Sequence, residues 1–283
     1  MKILICGGDE RIVLLSGQLG AAGHEICCIG LDRAELPEGV RRISAPERCD
    51  AAIFPVPVEK AGGELNAPFA RSRLSAIEVL ESTRDTPIVI GGKLGATFKE
   101  MALSNGQRVF DIMQRPEFTA GNAAVTAEGA LSRLMNASDK AVQDMRVLVI
   151  GWGRIGKLLL QKLSGLGTRP CLMSKNPEAR ALAGAMGYEA LAPDCGNALM
   201  SSFDAVINTA PAPVLGELSA LRDSCILLEL ASTPGGFDAQ KARERGMEYI
   251  AAPGLPGKYA PVSAAELIFG AVNNIFKECG IYE

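Results

Sequence analysis

Histidine is nearly absent from this chain, and its scarcity limits the chemistry that the protein can perform. Only His24 carries an imidazole among 283 residues, which excludes metal sites built from several histidines. The eight cysteines form no Cys-x-x-Cys pair, and most of them lie in apolar runs such as ILIC and EICCIG. This pattern favours buried free thiols in a reducing compartment over a zinc or disulfide framework.

The sequence also lacks an excess of positive charge and any long apolar run. The net charge is −3 and the pI is near 5.5, so the chain has no basic field for binding nucleic acid. Its apolar window at 261–276 is polar on one face and too short to span a bilayer, which predicts that the protein does not enter the membrane. The apolar start is too short for a secretory signal, so we expect a cytoplasmic protein.

The chain repeats itself, and this internal repeat predicts the fold class. Lys2–Gly30 aligns without a gap to Arg146–Ser174, at an offset of 144 residues. Each copy has an apolar strand, a glycine turn, an amphipathic helix ending at a glycine, and a second apolar strand. Because both copies read as βαβ openings, we predict an α/β fold of two Rossmann-like domains with mostly parallel sheets, linked by inter-domain helices.

The domain boundaries follow from where the two copies begin. We predict a Rossmann-like or flavodoxin-like substrate domain at 1–120, an inter-domain helix within 121–145, an NAD(P)-binding Rossmann domain at 146–260, and a C-terminal helix at 261–283 that returns to the N-terminal domain. Thr126 is the predicted N-cap of the first linking helix. Ser263 and Glu266 have the spacing of a capping box at the start of the second.

The second copy carries a dinucleotide-binding motif, Gly151-Trp152-Gly153-Arg154-Ile155-Gly156, between its first strand and its helix. In such a motif the first glycine permits a tight turn, the second lets a pyrophosphate approach the backbone, and the third lets helix and strand pack closely. The helix N-terminus supplies free N–H groups to the phosphates. The strand–turn–helix context therefore predicts a cofactor site here.

The first copy has lost this motif, because Asp9 and Ile12 replace its second and third glycines. A carboxylate at the phosphate position would repel a pyrophosphate, so we expect no second nucleotide site. Asp9 and Arg11 still lie at the edge of the sheet where α/β proteins bind ligands. They either face a substrate or serve as a helix N-cap acid and a surface arginine.

The residues after the second strand of the cofactor domain favour NADP. An Asp or Glu at this position binds the ribose hydroxyls of NAD, whereas basic neighbours accommodate the 2′-phosphate of NADP. This strand is followed by Ser174, Lys175 and Arg180, without an acid at its end. NAD remains possible if the two cations are only solvated surface charges.

Three loops rich in glycine and proline follow the later strands of this domain and face the same edge. They begin at Asn208-Thr209-Ala210-Pro211, at Ala231 and at Pro253-Gly254. Such loops let the backbone approach a flat ring, although they are also ordinary turns. We expect Asn208 and Thr209 near the nicotinamide ribose.

The single histidine has no place in this site. His24 lies between the first helix and the second strand, at the edge of the sheet opposite the ligand. Proton transfer would therefore depend on a carboxylate, a lysine, a tyrosine or water.

The motifs of the whole chain resemble those of the dipicolinate synthase A subunits of spore-forming bacteria. The matching stretches are Gly7-Gly8-Asp9 with Arg11, Gly30-Leu31-Asp32, Asn122-x-x-x-Thr126-x-Glu128-Gly129, the glycine motif at 151–156, Ile207-Asn208-Thr209-x-Pro211, the loop at 230–236, and 252–257 with Ala260-Pro261. The chain departs from that family at Val125, Phe237, Lys258 and Val262.

The resemblance implies oxidation of a dihydrodipicolinate-type dicarboxylate to pyridine-2,6-dicarboxylate with NADP during sporulation. It also implies a homo-oligomeric assembly whose partner is a flavoprotein-like B subunit. Asn122, Thr126 and Gly254 are implied to contact the substrate, and Glu128 or water to accept a proton. Arg11, Lys93 and Lys258 are candidate partners for the substrate carboxylates, and Lys258 is also a candidate catalytic residue. The alternatives are a dehydrogenase of another small carboxylic acid or a cofactor-binding protein without chemistry of its own.

Overall fold

The computed structural model describes residues 1–213, 215, 218–232 and 234–281, and these residues form two parallel sheets covered by helices. The strands are β1 Lys2–Cys6, β2 Glu25–Ile29, β3 Arg41–Arg42, β4 Ala51–Ile53, β5 Ile88–Gly91, β6 Arg108–Asp111, β7 Val147–Ile150, β8 Cys171–Met173, β9 Glu189–Leu191, β10 Ala205–Asn208, β11 Ile226–Glu229 and β12 Tyr249–Ala251. The helices are α1 Glu10–Ala21, α2 Ala76–Ser82, α3 Ala96–Ser104, α4 Pro116–Ala137, α5 Arg154–Gly165, α6 Pro177–Ala185, α7 Asn197–Met200, α8 Ala239–Glu244, α9 Leu255–Tyr259 and α10 Pro261–Glu278.

Each sheet has the strand order of a Rossmann domain. The first runs β3-β2-β1-β4-β5-β6 and the second β12-β11-β10-β7-β8-β9, and every pairing within them is parallel. Both follow the order 3-2-1-4-5-6, which creates a switch point beside the first strand of each domain. Apolar runs such as KILIC and VLVI form the central strands because helices bury both faces. The predicted α/β class is confirmed.

The chain divides into two compact units. The first contains Met1–Asn122 together with the chain from Ala260 onward, and the second contains Ala123–Tyr259. In the first unit α10 packs against α1, where Ile268 and Val272 share a core with Ile12 and Leu15. In the second, α4 contributes Ala127, Leu131 and other apolar residues to the core under β7 and β10.

The internal repeat extends to individual backbone hydrogen bonds. The bounds of α1 and α5 correspond residue for residue at the offset of 144. In the first unit the Gly7 N–H donates to the Ile29 carbonyl at 2.8 Å, and in the second the Gly151 N–H donates to the Met173 carbonyl at 3.0 Å. The two glycine turns therefore have the same place in their sheets.

Two predicted helix starts are wrong. The helix α4 begins at Pro116, so Thr126 is a buried interior residue and not an N-cap. Similarly, α10 begins at Pro261 after Ala260, which places Ser263 inside the first turn instead of in a capping box. Both helices start at a proline, whose missing N–H costs nothing in the first turn.

The cysteines are free thiols, and six of the eight are buried. Within the described residues no group of His, Cys, Asp and Glu side chains is arranged to bind a metal ion. None of the helices in this part of the chain is long and apolar enough to cross a membrane.

Candidate functional site

The glycine motif forms an open turn at the end of β7. Gly151 has φ of +104°, a conformation that residues with a Cβ rarely adopt. Gly153 is the N-cap of α5, and among the described residues no side chain caps this helix end. The first N–H groups of α5 are therefore available to an anion, as a pyrophosphate site requires.

The third glycine of the motif is needed for close packing. A Cβ built on Gly156 would lie 2.0 Å from the Gly151 carbonyl oxygen, and a Cβ on Gly151 would lie 2.6 Å from Thr209 Oγ1. Thr209 is held in place because its N–H and its Oγ1 both donate to the Ile150 carbonyl, at 2.9 and 2.8 Å. The loop after β10 therefore contacts the glycine turn directly.

The equivalent turn in the first unit already contains an anion. The Asp9 carboxylate accepts the Arg11 N–H at 3.1 Å and caps α1, and it also accepts Nε and Nη2 of Arg11 at 2.9 and 2.8 Å. Arg11 donates further to the Val56 carbonyl and is only 6% exposed, so it is not a surface arginine. Its charge is balanced by Asp9, which leaves it little capacity to bind a substrate carboxylate.

The end of β8 carries the cations that were predicted to bind a 2′-phosphate. Arg180 Nη1 donates to the carbonyls of Ser174 and Lys175 at 2.8 and 3.0 Å, which folds its guanidinium back over the strand end. Lys175 Nζ donates to the Pro213 carbonyl at 3.1 Å, and the Asn176 N–H donates to Ser174 Oγ at 3.2 Å. Ser174, Lys175 and Arg180 thus lie at or near the end of β8, where a ribose acid would stand in an NAD-specific site, and both cations donate to backbone carbonyls.

The ends of β10 and β11 are joined by a buried polar pair that sequence reasoning missed. Asn208 is fully buried and Glu229 is 6% exposed, and Asn208 Nδ2 donates to Glu229 Oε1 at 2.7 Å. The one signal of this pair in the sequence is Glu229 itself, a charged residue at the end of the otherwise apolar strand ILLE. It shapes the loop after β11, which includes Ala231 and, outside the described residues, Thr233.

Lys93 lies on a tight turn after β5 and is exposed. It has a positive φ of 55°, and its N–H donates to Asp111 Oδ1 at 2.9 Å while the Leu94 N–H donates to Oδ2 at 3.1 Å. The buried Asp111 side chain thus fixes the backbone of Lys93 at the ligand edge of the first sheet. The contact of Lys93 with a substrate stays a prediction.

The two candidate catalytic residues have different surroundings. Glu128 is exposed and accepts Lys162 Nζ at 2.7 Å, and Lys162 lies about two turns along α5 from the glycine motif. The structure therefore does not bring Glu128 to the phosphate end of α5. Lys258 lies in α9 and not in a loop, and it lines a small groove of about 160 Å³ with Arg133 of α4.

The remaining predicted residues are divided between the two units. Asn122 is the last residue of the first unit's main segment and Thr126 is buried in α4, so neither offers an exposed loop to a ligand. Arg154, Ile155, Pro211 and Gly254 follow strands β7, β10 and β12 at the ligand edge of the second sheet. The second unit therefore gathers the predicted cofactor residues on one sheet edge.

Comparisons with known proteins agree with these features. Residues 2–113 match the family described as the N-terminal domain of the dipicolinate synthase A subunit. The resemblance to the dipicolinate synthase A subunits is confirmed. The chain is 24% identical to the dipicolinate synthase A subunit of Bacillus subtilis (strain 168) over 286 aligned positions, which cover 98% of this chain and 96% of that protein.

Solved structures extend the likeness to the whole fold. A crystal structure of the dipicolinate synthase A subunit from Bacillus halodurans superposes with a TM-score of 0.85 at 24% identity, covering 97% of each chain. An L-alanine dehydrogenase superposes with a TM-score of 0.64 at 13% identity, covering 99% of this chain and 89% of the other. The fold is thus one that dehydrogenases use.

Proposed function

We propose that this protein is an NADP-dependent oxidoreductase that oxidises a dihydrodipicolinate-type substrate to pyridine-2,6-dicarboxylate. The observation that carries the proposal is the start of α5 at the glycine turn, which no side chain of the described residues caps, in a chain that resembles the dipicolinate synthase A subunits along its length. The fold and this turn support a nicotinamide cofactor, and the resemblance supports the substrate.

The residues of the second unit fit NADP. The N–H groups at the start of α5 would hold the pyrophosphate, and Ser174, Lys175 and Arg180 would hold the 2′-phosphate. When bound, the nicotinamide supplies a hydride acceptor. Thr209 would border its ribose, because the ends of β10 and β7 are adjacent. Asn208 is fully buried beneath this loop and would not contact the cofactor itself.

The reaction we propose does not require a strong base from the protein. The substrate ring loses one hydride and one proton, and the product is an aromatic pyridine, so aromatisation drives the reaction. A strong base is not required, which agrees with a site without histidine. Because Glu128 is paired with Lys162, we propose that water accepts the proton.

Lys93 and Lys258 are our candidates for the substrate carboxylates. Each is exposed on its own unit, and neither ammonium has an acidic partner among the ion pairs of the described residues. Paired contacts between lysine and carboxylate are stronger than neutral hydrogen bonds. We further propose a cytoplasmic homo-oligomer that works with a flavoprotein-like B subunit during sporulation.

The proposal is tested by following NADPH formation at 340 nm, a wavelength at which NADPH absorbs. Freshly made dihydrodipicolinate is mixed with NADP⁺ and the purified chain, with and without the B subunit. We expect NADPH and pyridine-2,6-dicarboxylate in equal amounts. Absence of turnover in both mixtures would refute the proposed reaction. Turnover of another small carboxylic acid instead would favour the alternative dehydrogenase.

A further inference from the structure

We propose that the buried Asn208–Glu229 pair positions the nicotinamide side of the cofactor site without contributing to the adenosine side. The inference rests on the proposed function, because it assumes that a nicotinamide dinucleotide binds at the glycine motif. Asn208 and Glu229 do not need to touch the cofactor in this role. They are positioning residues that act through the loop after β11.

Glu229 organises that loop through hydrogen bonds to its backbone. Oε1 accepts the Ala231 N–H at 3.0 Å in addition to Asn208 Nδ2. Oε2 accepts the N–H groups of Gly236 and Phe237 at 2.7 and 3.2 Å. One carboxylate therefore holds both ends of the turn between residues 231 and 237.

Asn208 connects this turn to the loop after β10. Its Nδ2 donates to the Ala210 carbonyl at 2.9 Å, and its Oδ1 accepts the Ala210 N–H at 3.2 Å. The neighbouring Thr209 contacts the glycine turn through the close approach of its Oγ1 to Gly151. The contacts thus run continuously from the phosphate turn to the loop after β11.

The strand order places this chain of contacts on the nicotinamide side. In a Rossmann domain the adenosine ribose is bound at the end of the second strand, here β8, and the dinucleotide crosses the switch point next to the first strand, β7. The other half of the cofactor must then extend over β10 and β11, which lie on the opposite side of β7. Glu229 ends β11, so the turn it holds borders that half.

The chemistry of Glu229 is specific, because the four groups of the described residues that reach its carboxylate are all N–H donors. A glutamine at this position would turn its own NH₂ toward two of those donors, whichever way the amide is oriented. A buried N–H group that loses its acceptor destabilises the folded protein, so we expect the turn to rearrange. The adenosine side at β8 makes none of these contacts.

Glu229→Gln tests the inference, with Glu248→Gln as the matched control. Glu248 is an exposed glutamate just before β12, so the control removes the same charge at the opposite edge of the same sheet. Calorimetry measures the Kd of each protein for NADP⁺ and for 2′,5′-ADP, which lacks the nicotinamide half. The fluorescence of bound NADPH reports the surroundings of the nicotinamide ring.

We expect Glu229→Gln to weaken NADP⁺ binding by about tenfold, the usual scale for losing a charge-assisted hydrogen bond. The fluorescence enhancement of NADPH should fall, while the Kd for 2′,5′-ADP changes less than about twofold. Glu248→Gln should leave all three measurements unchanged. Equal weakening of both ligands, or no change in either, would overturn the inference.

A second variant reaches the pair from the loop side, in case Glu229→Gln does not fold. A Cβ on Gly236 would lie 2.4 Å from Asn208 Nδ2, so Gly236→Ala must displace the turn or the amide. The same selective loss of NADP⁺ binding is expected, and unchanged NADP⁺ binding would contradict the proposal. If the unmodified protein binds neither ligand, the proposed cofactor itself is wrong and this inference falls with it.

Discussion

At the scale of single residues, the surroundings of the only histidine indicate a role in packing and not in catalysis. His24 lies between α1 and β2, and its ring meets Phe276 of α10 edge-on at 6.2 Å. Burial lowers the pKa of His24 below its ordinary value of 6.5, with a smaller effect from the positive N-terminus. His24 is therefore a partly buried residue that packs on α10 of the first unit.

This environment predicts how the stability of the protein depends on pH. Between the ordinary pKa and the lowered one, the unfolded chain binds a proton that the folded chain does not, so stability falls as the pH drops below about 6.5. Urea unfolding at pH 8 and pH 5.5 should show a larger loss for the natural protein than for His24→Gln. Identical losses in both proteins would show that His24 does not contribute.

A second residue-scale prediction concerns the choice of cofactor. Ser174→Glu places a carboxylate beside the proposed 2′-phosphate, so NADP⁺ should weaken at least about tenfold more than NAD⁺, about 1.4 kcal/mol. Ser174→Gln has the same size without the charge, and it should affect both cofactors alike. The measurement is the Kd of each variant for NAD⁺ and for NADP⁺, compared with the Kd values of the natural protein. Equal losses in Ser174→Glu would remove the support for NADP.

At the scale of elements, the structure shows which features can be predicted locally. The helix α5 and its glycine turn were predictable because the repeat, the apolar spacing and the motif all lie within about 20 consecutive residues. The short strands β3 and β9 could not be predicted from the sequence, because RR and EAL have no apolar pattern of their own. They form by pairing with β2 and β8.

The candidate site divides in the same way. The cations at the end of β8 follow directly from the sequence. The Asn208–Glu229 pair does not, because it depends on β10 and β11 being neighbours in the sheet. The glycine and proline residues that precede Lys258 favour a loop, but Leu255 and Pro256 are buried and the segment forms α9. Tertiary burial outweighs local propensity there.

At the scale of the whole molecule, the two copies of one βαβ unit differ at the N-terminus of their first helix. In the second unit no side chain of the described residues caps α5, and in the first the carboxylate of Asp9 accepts the Arg11 N–H at the start of α1. An anion that is part of the chain disfavours an external one by charge and by occupying one of the free N–H groups. The two units therefore share a fold, and the proposed phosphate site belongs to the second unit alone.

This asymmetry predicts one NADP⁺ per chain. Calorimetric titration should fit a single site, and Gly156→Ala should abolish it, because the added Cβ cannot lie 2.0 Å from the Gly151 carbonyl oxygen. Asp9→Asn keeps a good N-cap and serves as the control, with stoichiometry and affinity for NADP⁺ unchanged. Binding of two equivalents, or a loss of affinity in Asp9→Asn as large as in Gly156→Ala, would mean that the first turn also binds the cofactor.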